Sequence, residues 1–291
     1  IHEKVEGFRA DVPGLESVYV IESDGPGSMA ELEEKGRENP VPSINPDTDN
    51  IAVLIYTSGT TGEPKGVLLS HGNFCSNVVD AGSCFPDLCE EDRSLSILPW
   101  AHSYGQTADL YNFIHIGGSV AFVGNVQTIV EDLAKARPTF LIAVPRIFNR
   151  VYDGLWAKMD EEGGLPRRLF VMGVEAAKKR RELAAKGESR FMVDLKYKIA
   201  DAVVFIKIRG RFGGRLKGAI TGSAMMNPDI AHFFSDLGIP TYDCYGLTET
   251  SPAVTMNRPV MNKIGTVGAP IPNYRVVIDK SVVEEGADDG E

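Results

Sequence analysis

The sequence has no apolar run near the roughly 18 residues a membrane-crossing helix needs. It also has no CxxC cysteine pair and no excess of positive charge. Each absence excludes something. Without such a run, no transmembrane helix is expected. The four cysteines are Cys75, Cys84, Cys89 and Cys244, and they stand apart. Neither a zinc ribbon nor a thioredoxin-like redox pair is therefore supported. His71 with the first three cysteines matches no common zinc spacing. Reduced structural thiols in a cytoplasmic protein are the expectation. A formal net charge of −10 argues against a general nucleic-acid binder, whose footprint would be basic. An opening Met is missing too: residue 1 is Ile, and the first residues do not read as a signal peptide. Residues 288–291 stop in mid-pattern. The chain is expected to be a piece of a longer one.

What is present is an ordinary globular composition: 43% hydrophobic and 24% charged over 291 residues. That length buries a core without disulfide or metal staples. Glycine is high, at 30 residues, which points to loops where backbone approaches a ligand. The charge is unevenly spread. Residues 146–217 hold eighteen Lys and Arg against nine Asp and Glu, and the remainder holds twelve against thirty-one. Such a basic block suits phosphates or an anionic membrane surface. It is equally the solvated face of ordinary helices.

Along the chain, strands alternate with helices. Strands are expected at residues 17–22, 51–56, 67–69, 95–98, 119–123, 139–144, 216–221 and 241–245. Helices are expected from about residue 70 to 81, from 102 to 115, at 128–136, from Pro145 to about 159, at 167–186, at 190–209 and at 228–237. The tail at 263–279 reads as β. This alternation predicts an α/β fold with mostly parallel sheets flanked by helices and a β-rich C-terminal part.

Two segments carry chemistry. In the first, the hydroxyls of Thr57, Ser58, Thr60 and Thr61 interleave with Gly59 and Gly62, and Lys65 and Gly66 close the run. Glycines let successive N–H groups face one concavity, a nest for anionic oxygens. Hydroxyl donors and a lysine complete a polyphosphate cradle. It is not the Walker loop, because Pro64 precedes the lysine and no Ser or Thr follows it. Read alone, the run is also a flexible Thr/Gly turn. The second segment, residues 242–250, ends a predicted strand. Tyr245 could stack a base, Gly246 permits close approach, and Thr248 and Glu249 suit a metal–phosphate group. Taken singly, Glu249 is a solvated loop acid and Tyr245 a core aromatic.

Together, YTSGTTGEPKGVLLSHGN at 56–73, LPWAH at 98–102, GSA at 222–224 and YGLTET at 245–250 resemble the adenylate-forming superfamily of acyl-CoA synthetases, adenylation domains and luciferases. VPRIFNRVYDGLW at 144–156, followed by the long basic helices, resembles the long-chain fatty acyl-CoA synthetase branch. The resemblance implies ATP-dependent activation of a fatty acid to an acyl-adenylate, then transfer to coenzyme A, with Mg²⁺ as cofactor. It implies that residues 57–66, with Lys65, guide the β- and γ-phosphates of ATP. Gly222, Ser223 and Ala224 would line the adenine and acyl pocket. Tyr245, Gly246 and Leu247 would face adenine, and Thr248 the α-phosphate. Glu249 would hold Mg²⁺. His102, by itself an ordinary loop histidine, would lie by the acyl carboxylate and the incoming thiol.

The resemblance covers about residues 50–280. Residues 1–291 are accordingly expected to be an incomplete large N-terminal AMP-binding domain. The small C-terminal domain, with the lysine used in adenylation, would lie beyond the chain, as would the ribose-binding acid. This chain alone is expected to be nearly inactive. An acyl-AMP ligase and an aryl- or medium-chain-CoA ligase stand as alternatives; a catalytically dead nucleotide-binding module is a more distant one. Expected partners are a long-chain fatty acid, ATP and CoA, with peripheral membrane contact through the basic helices at 146–217.

Overall fold

A computed structural model describes residues 2–21, 23–58 and 63–279. Contacts divide the chain into residues 1–46 and residues 47–291. The first unit holds two helices, α1 (His2–Gly7) and α2 (Met29–Glu38). The start of α2 is fixed reciprocally. Glu31 N donates to Ser28 Oγ at 3.1 Å, and the Glu31 carboxylate accepts from Gly27 N at 2.6 Å. The strand expected at 17–22 is only a single bridge, Val20 to Ser28; residue 22 lies outside the described residues.

The second unit begins with a hairpin, β1 (Ile51–Thr57) and β2 (Lys65–Ser70), paired antiparallel with Thr57 opposite Lys65. It leads directly into α3 (His71–Gly82). Ser70 Oγ accepts from Asn73 N at 3.2 Å, and Asn73 Oδ1 accepts from Ser70 N at 2.9 Å, so strand and helix meet at a sharp, satisfied corner. The chain continues through β3 (Arg93–Ser96), α4 (Asn112–His115), β4 (Ser119–Phe122), α5 (Ile129–Ala136) and β5 (Phe140–Ala143). Four helices follow: α6 (Pro145–Glu162), α7 (Gly164–Lys186), α8 (Phe191–Ala200) and α9 (Ile206–Arg211). Then come β6 (Gly218–Thr221), α10 (Pro228–Asp236), β7 (Thr241–Gly246), β8 (Ala253–Met256) and β9 (Ala269–Pro270).

The large sheet runs β4-β3-β5-β6-β7-β8-β9. Its first five strands are parallel, and β8 and β9 join antiparallel. Every residue of β5 and β6 is buried, as expected for parallel strands covered on both faces. The two-residue period of a strand splits them between two cores. Leu141, Ala143 and Ala219 face a core built with α5 to α10. Phe140, Ile142 and Ile220 face a second core with Phe85, Tyr104 and Tyr242.

Three further expectations need correction. The helix expected over 102–115 is mainly a π-helical turn, Gly105–Tyr111, followed by the single turn of α4. Within it Asp109 is buried and accepts a hydrogen bond from Ser94 Oγ. The long helix expected at 190–209 is likewise divided by a π turn at Asp201–Phe205, where Arg209 pairs with Asp201 at 2.6 Å. The tail at 263–279 forms only the two residues of β9. Gly265 and Gly268 adopt positive φ, and the prolines at 270 and 272 cannot donate to a ladder.

Candidate functional site

Three connections leave the carboxyl ends of the parallel strands and converge: residues 97–104 follow β3, residues 222–227 follow β6, and residues 247–252 join β7 to β8. The described end of the hairpin, with Thr57, Ser58 and Lys65, meets them there. In open α/β sheets the crevice beyond the strand ends is where ligands bind. Here it holds a cavity of about 470 Å³.

The cavity is lined by ten of the residues singled out from sequence: Thr57, Ser58, Lys65, His102, Ser223, Tyr245, Gly246, Leu247, Thr248 and Glu249. Gly59, Thr60, Thr61 and Gly62 lie outside the described residues. Gly222 and Ala224 are not on the wall. Gly222 instead packs beneath it, where an added Cβ would stand 2.7 Å from Cys244 Sγ. The smallness of this residue lets β6 and β7 close.

The hairpin presents Lys65 across from Thr57, whose Oγ1 donates to Lys65 O at 3.4 Å. Ile55, Leu69 and Phe74 anchor this hairpin on α3, and β2 lies against the Thr248–Thr250 turn. Lysine and glutamate are thereby brought to one cavity from 184 positions apart in sequence. His102 Nδ1 accepts from Tyr104 N at 3.2 Å. That bond leaves the proton of the neutral ring on Nε2.

The turn carrying Thr248 and Glu249 is held from behind by residues that sequence reasoning missed. Asn77 on α3 is fully buried. Its Nδ2 donates to Ala253 O at 2.8 Å and to Thr250 O at 3.2 Å, and its Oδ1 accepts from Ala253 N at 3.2 Å. Thr107 Oγ1 donates to Ser251 O at 3.0 Å. Asn77 shares the buried face of α3 with Phe74, Val78 and a second polar residue, Asp80, so nothing in the local pattern singled it out. Nothing local marks Thr107.

Cys244 also lines the cavity, and burial pushes its thiol up to about 12, which disfavours the thiolate. Burial also pushes the hydroxyl of Tyr104 well above its ordinary range. Asp243 was missed from sequence as well. It shares a β7 face with Tyr245, its Oδ1 has no hydrogen-bond partner among the described residues, and burial raises its carboxyl to about 6. Thr221, paired with it in register, also has an unpartnered buried hydroxyl.

The raised pKa of Asp243 has a stability consequence. The fold favours the neutral acid, so ionisation costs stability progressively from about pH 4 to pH 6, and fully above that. Asp243→Asn is expected to stabilise the chain by about 2–3 kcal/mol at pH 8, with the gain vanishing near pH 4. Urea denaturation at both values measures it; an equal effect at both would contradict the assignment.

Glu249 is the only carboxylate on the cavity wall among the described residues. No group of three or more His, Cys, Asp or Glu forms a metal cage among them. Magnesium is commonly held by one or two carboxylates together with substrate phosphates rather than by a protein cage. Glu249 beside the Thr248 hydroxyl fits that mode.

A family model described as AMP-binding enzyme matches residues 2–291. Long chain acyl-CoA synthetase 8 of Arabidopsis thaliana is 31% identical over 93% of this chain and 40% of its own length. The peroxisomal long chain acyl-CoA synthetase 6 of the same plant is 37% identical over 86% of the chain and 34% of its own length. A long-chain-fatty-acid–CoA ligase of Mycobacterium bovis is 32% identical over 99% and 47%. The chain thus spans less than half the length of these relatives. Among solved structures, an anthranilate CoA ligase in complex with anthranoyl-AMP superposes with a TM-score of 0.65, at 19% identity, over 95% of this chain and 44% of that one. A long-chain-fatty-acid–CoA ligase of Archaeoglobus fulgidus gives 0.63 at 21% identity, over 93% and 46%. At these identities the likeness establishes the fold.

Proposed function

The chain belongs to the family of AMP-binding enzymes, and from that premise we propose that the polypeptide carrying it is an ATP-dependent ligase joining long-chain fatty acids to coenzyme A. The observation that carries the reading is the meeting of Lys65, His102, Tyr245, Thr248 and Glu249 on one cavity, from three separate connections. The names of the relatives support the substrate class. Because the chain spans less than half their length, the reading assigns it to a large nucleotide-binding domain and the activity to the whole polypeptide.

A carboxylate is a poor electrophile, so it is activated first. One fatty carboxylate oxygen attacks the α-phosphorus of ATP, the bond to the bridging β-oxygen breaks, and pyrophosphate leaves. Charge gathers on phosphoryl oxygens in the transition state, so positioning and charge stabilisation are the protein's main task. Lys65 and the Thr57–Ser58 end of the hairpin loop face the β- and γ-phosphates, and the Thr248 hydroxyl faces the α-phosphate. Glu249 would hold Mg²⁺, which would supply charge neutralisation to the phosphates. Tyr245 stacks on the base. The Nε2 proton of His102 is available to the acyl carboxylate. Ala81, Phe85, Ala108, Ile220 and Met256 form the apolar wall suited to an acyl chain. In the second step the CoA sulfur bonds the acyl carbon, the bond to AMP breaks, and the thiol proton is released to solvent. No enzyme nucleophile is required. No helix of the described residues is long and apolar enough to cross a membrane, and membrane contact enters this reading only as a peripheral one, through residues 146–217.

The test is ATP–pyrophosphate exchange by the full-length polypeptide across fatty acids of increasing length and aryl acids. Exchange driven by long-chain acids, with acyl-CoA formed on adding CoA, is the expected result. Exchange with aryl acids alone would replace the substrate, and ATP binding without exchange for any acid would sink the reading.

A further inference from the structure

Helices α8 and α9, with the π turn between them, are apolar on two opposite faces. One face is core: Ala200, Val204, Phe205 and Ile208 are buried against the sheet helices. Tyr197 also lies on this side, under the Arg180 guanidinium at 4.2 Å from the ring centroid. The opposite face holds Phe191, Met192, Leu195, Ile199, Val203 and Ile206. All six are exposed, from 42% at Val203 to 76% at Phe191. Their spacing puts them on one stripe, at successive helical turns along two helices and the turn joining them. A solvated helix has no use for such a stripe.

The charges around the stripe have one sign. Lys196 and Lys207 flank one edge and Lys198 the other, by their helical positions. None of the three has an ion-pair partner among the described residues. The segment's only acids, Asp194 and Asp201, are held by Arg180 and Arg209, each at 2.6 Å. In a chain of net charge −10, this is an apolar stripe edged by free lysines. Those are the two parts of an interfacial helix that buries its apolar face among acyl chains while lysines reach anionic headgroups.

We propose that the α8–α9 face is a docking surface for an anionic bilayer. None of its residues lines the nucleotide cavity. It rests on the peripheral contact proposed above for residues 146–217 and narrows it to one face; vesicle binding tests it apart from the ligase activity.

The test uses the full-length polypeptide with a Phe191→Trp substitution, outside the site. Vesicles are phosphatidylcholine with or without one-third phosphatidylserine. The added tryptophan is expected to emit as a solvated indole in the free protein, and to shift to the blue with phosphatidylserine vesicles only. Replacing Lys196, Lys198 and Lys207 with Gln is expected to weaken vesicle affinity about fivefold per lysine. Leu195→Asp with Ile199→Asp is expected to abolish the spectral shift, with ATP–pyrophosphate exchange retained as proof of folding. An emission already blue without vesicles and indifferent to lipid would overturn the proposal. It would show the stripe covered by another part of the polypeptide or, if concentration-dependent, by a second copy. A solvated emission that anionic vesicles leave unchanged would overturn it as well.

Discussion

Glu249→Gln in the full-length polypeptide is expected to lower the rate of ATP–pyrophosphate exchange about 10²–10³-fold. The fold should persist, because Glu249 is exposed on its 3₁₀ turn and no hydrogen bond or ion pair of its carboxylate appears among the described contacts. The substitution keeps the shape and removes the charge. A neutral amide holds Mg²⁺ far less well than a carboxylate, so loss of the ion should appear as a higher magnesium requirement before it appears as lost ATP binding. An unchanged melting temperature with slowed exchange, partly restored by raised magnesium, is the expected pattern. Exchange at the parent rate would remove Glu249 from the site and leave the cavity without a metal-binding carboxylate.

That expectation could be written from sequence because the segments at 56–73, 98–102, 222–224 and 245–250 together resemble the adenylate-forming superfamily; taken singly, Glu249 reads as a solvated loop acid. In the run at 57–66 the hydroxyls, glycines and lysine by themselves suggest a phosphate cradle, whereas the roles of Tyr245 and Glu249 rested on the resemblance. The alternation of strand and helix was legible too, since fully buried strands such as β5 read as short apolar runs between turn signals. What stayed hidden is the support behind the site. Asn77 reaches residues 250 and 253, and Thr107 reaches residue 251. These contacts depend on how α3 and the π turn pack, and no local pattern encodes packing. Asp243 was passed over because an acid inside a strand looks like an edge residue until its burial is known. The exposed stripe on α8 and α9 was obscured by the opposite error. A helix with apolar residues on both faces reads as buried, so the segment's basic residues stood out and its apolar ones did not.

Gly246→Ala is expected to cost more than any other single change at the site. An added Cβ would overlap the Pro252 carbonyl oxygen and stand 2.6 Å from the carbonyl carbon and 3.1 Å from Ala253 Cα. Each obstacle is backbone. At Gly222 the nearest obstacle is a cysteine side chain that can rotate; here nothing can. Nor can the opposing strand retreat. Leu247 N donates to Pro252 O at 3.1 Å, and Asn77 grips Ala253 through both its N–H and its carbonyl. Relief requires either breaking the Asn77 clasp, which strands buried polar groups, or swinging the 247–252 turn outward, which carries Thr248 and Glu249 away from Lys65. Destabilisation of about 3 kcal/mol or more is expected, with exchange lost beyond the level of Glu249→Gln. Urea denaturation and exchange, measured on the same preparation below the variant's own unfolding transition, separate the two effects. A variant with parental stability and exchange would mean that the β7–β8 turn is free to move, and that the geometry holding Glu249 opposite Lys65 is not what the site depends on.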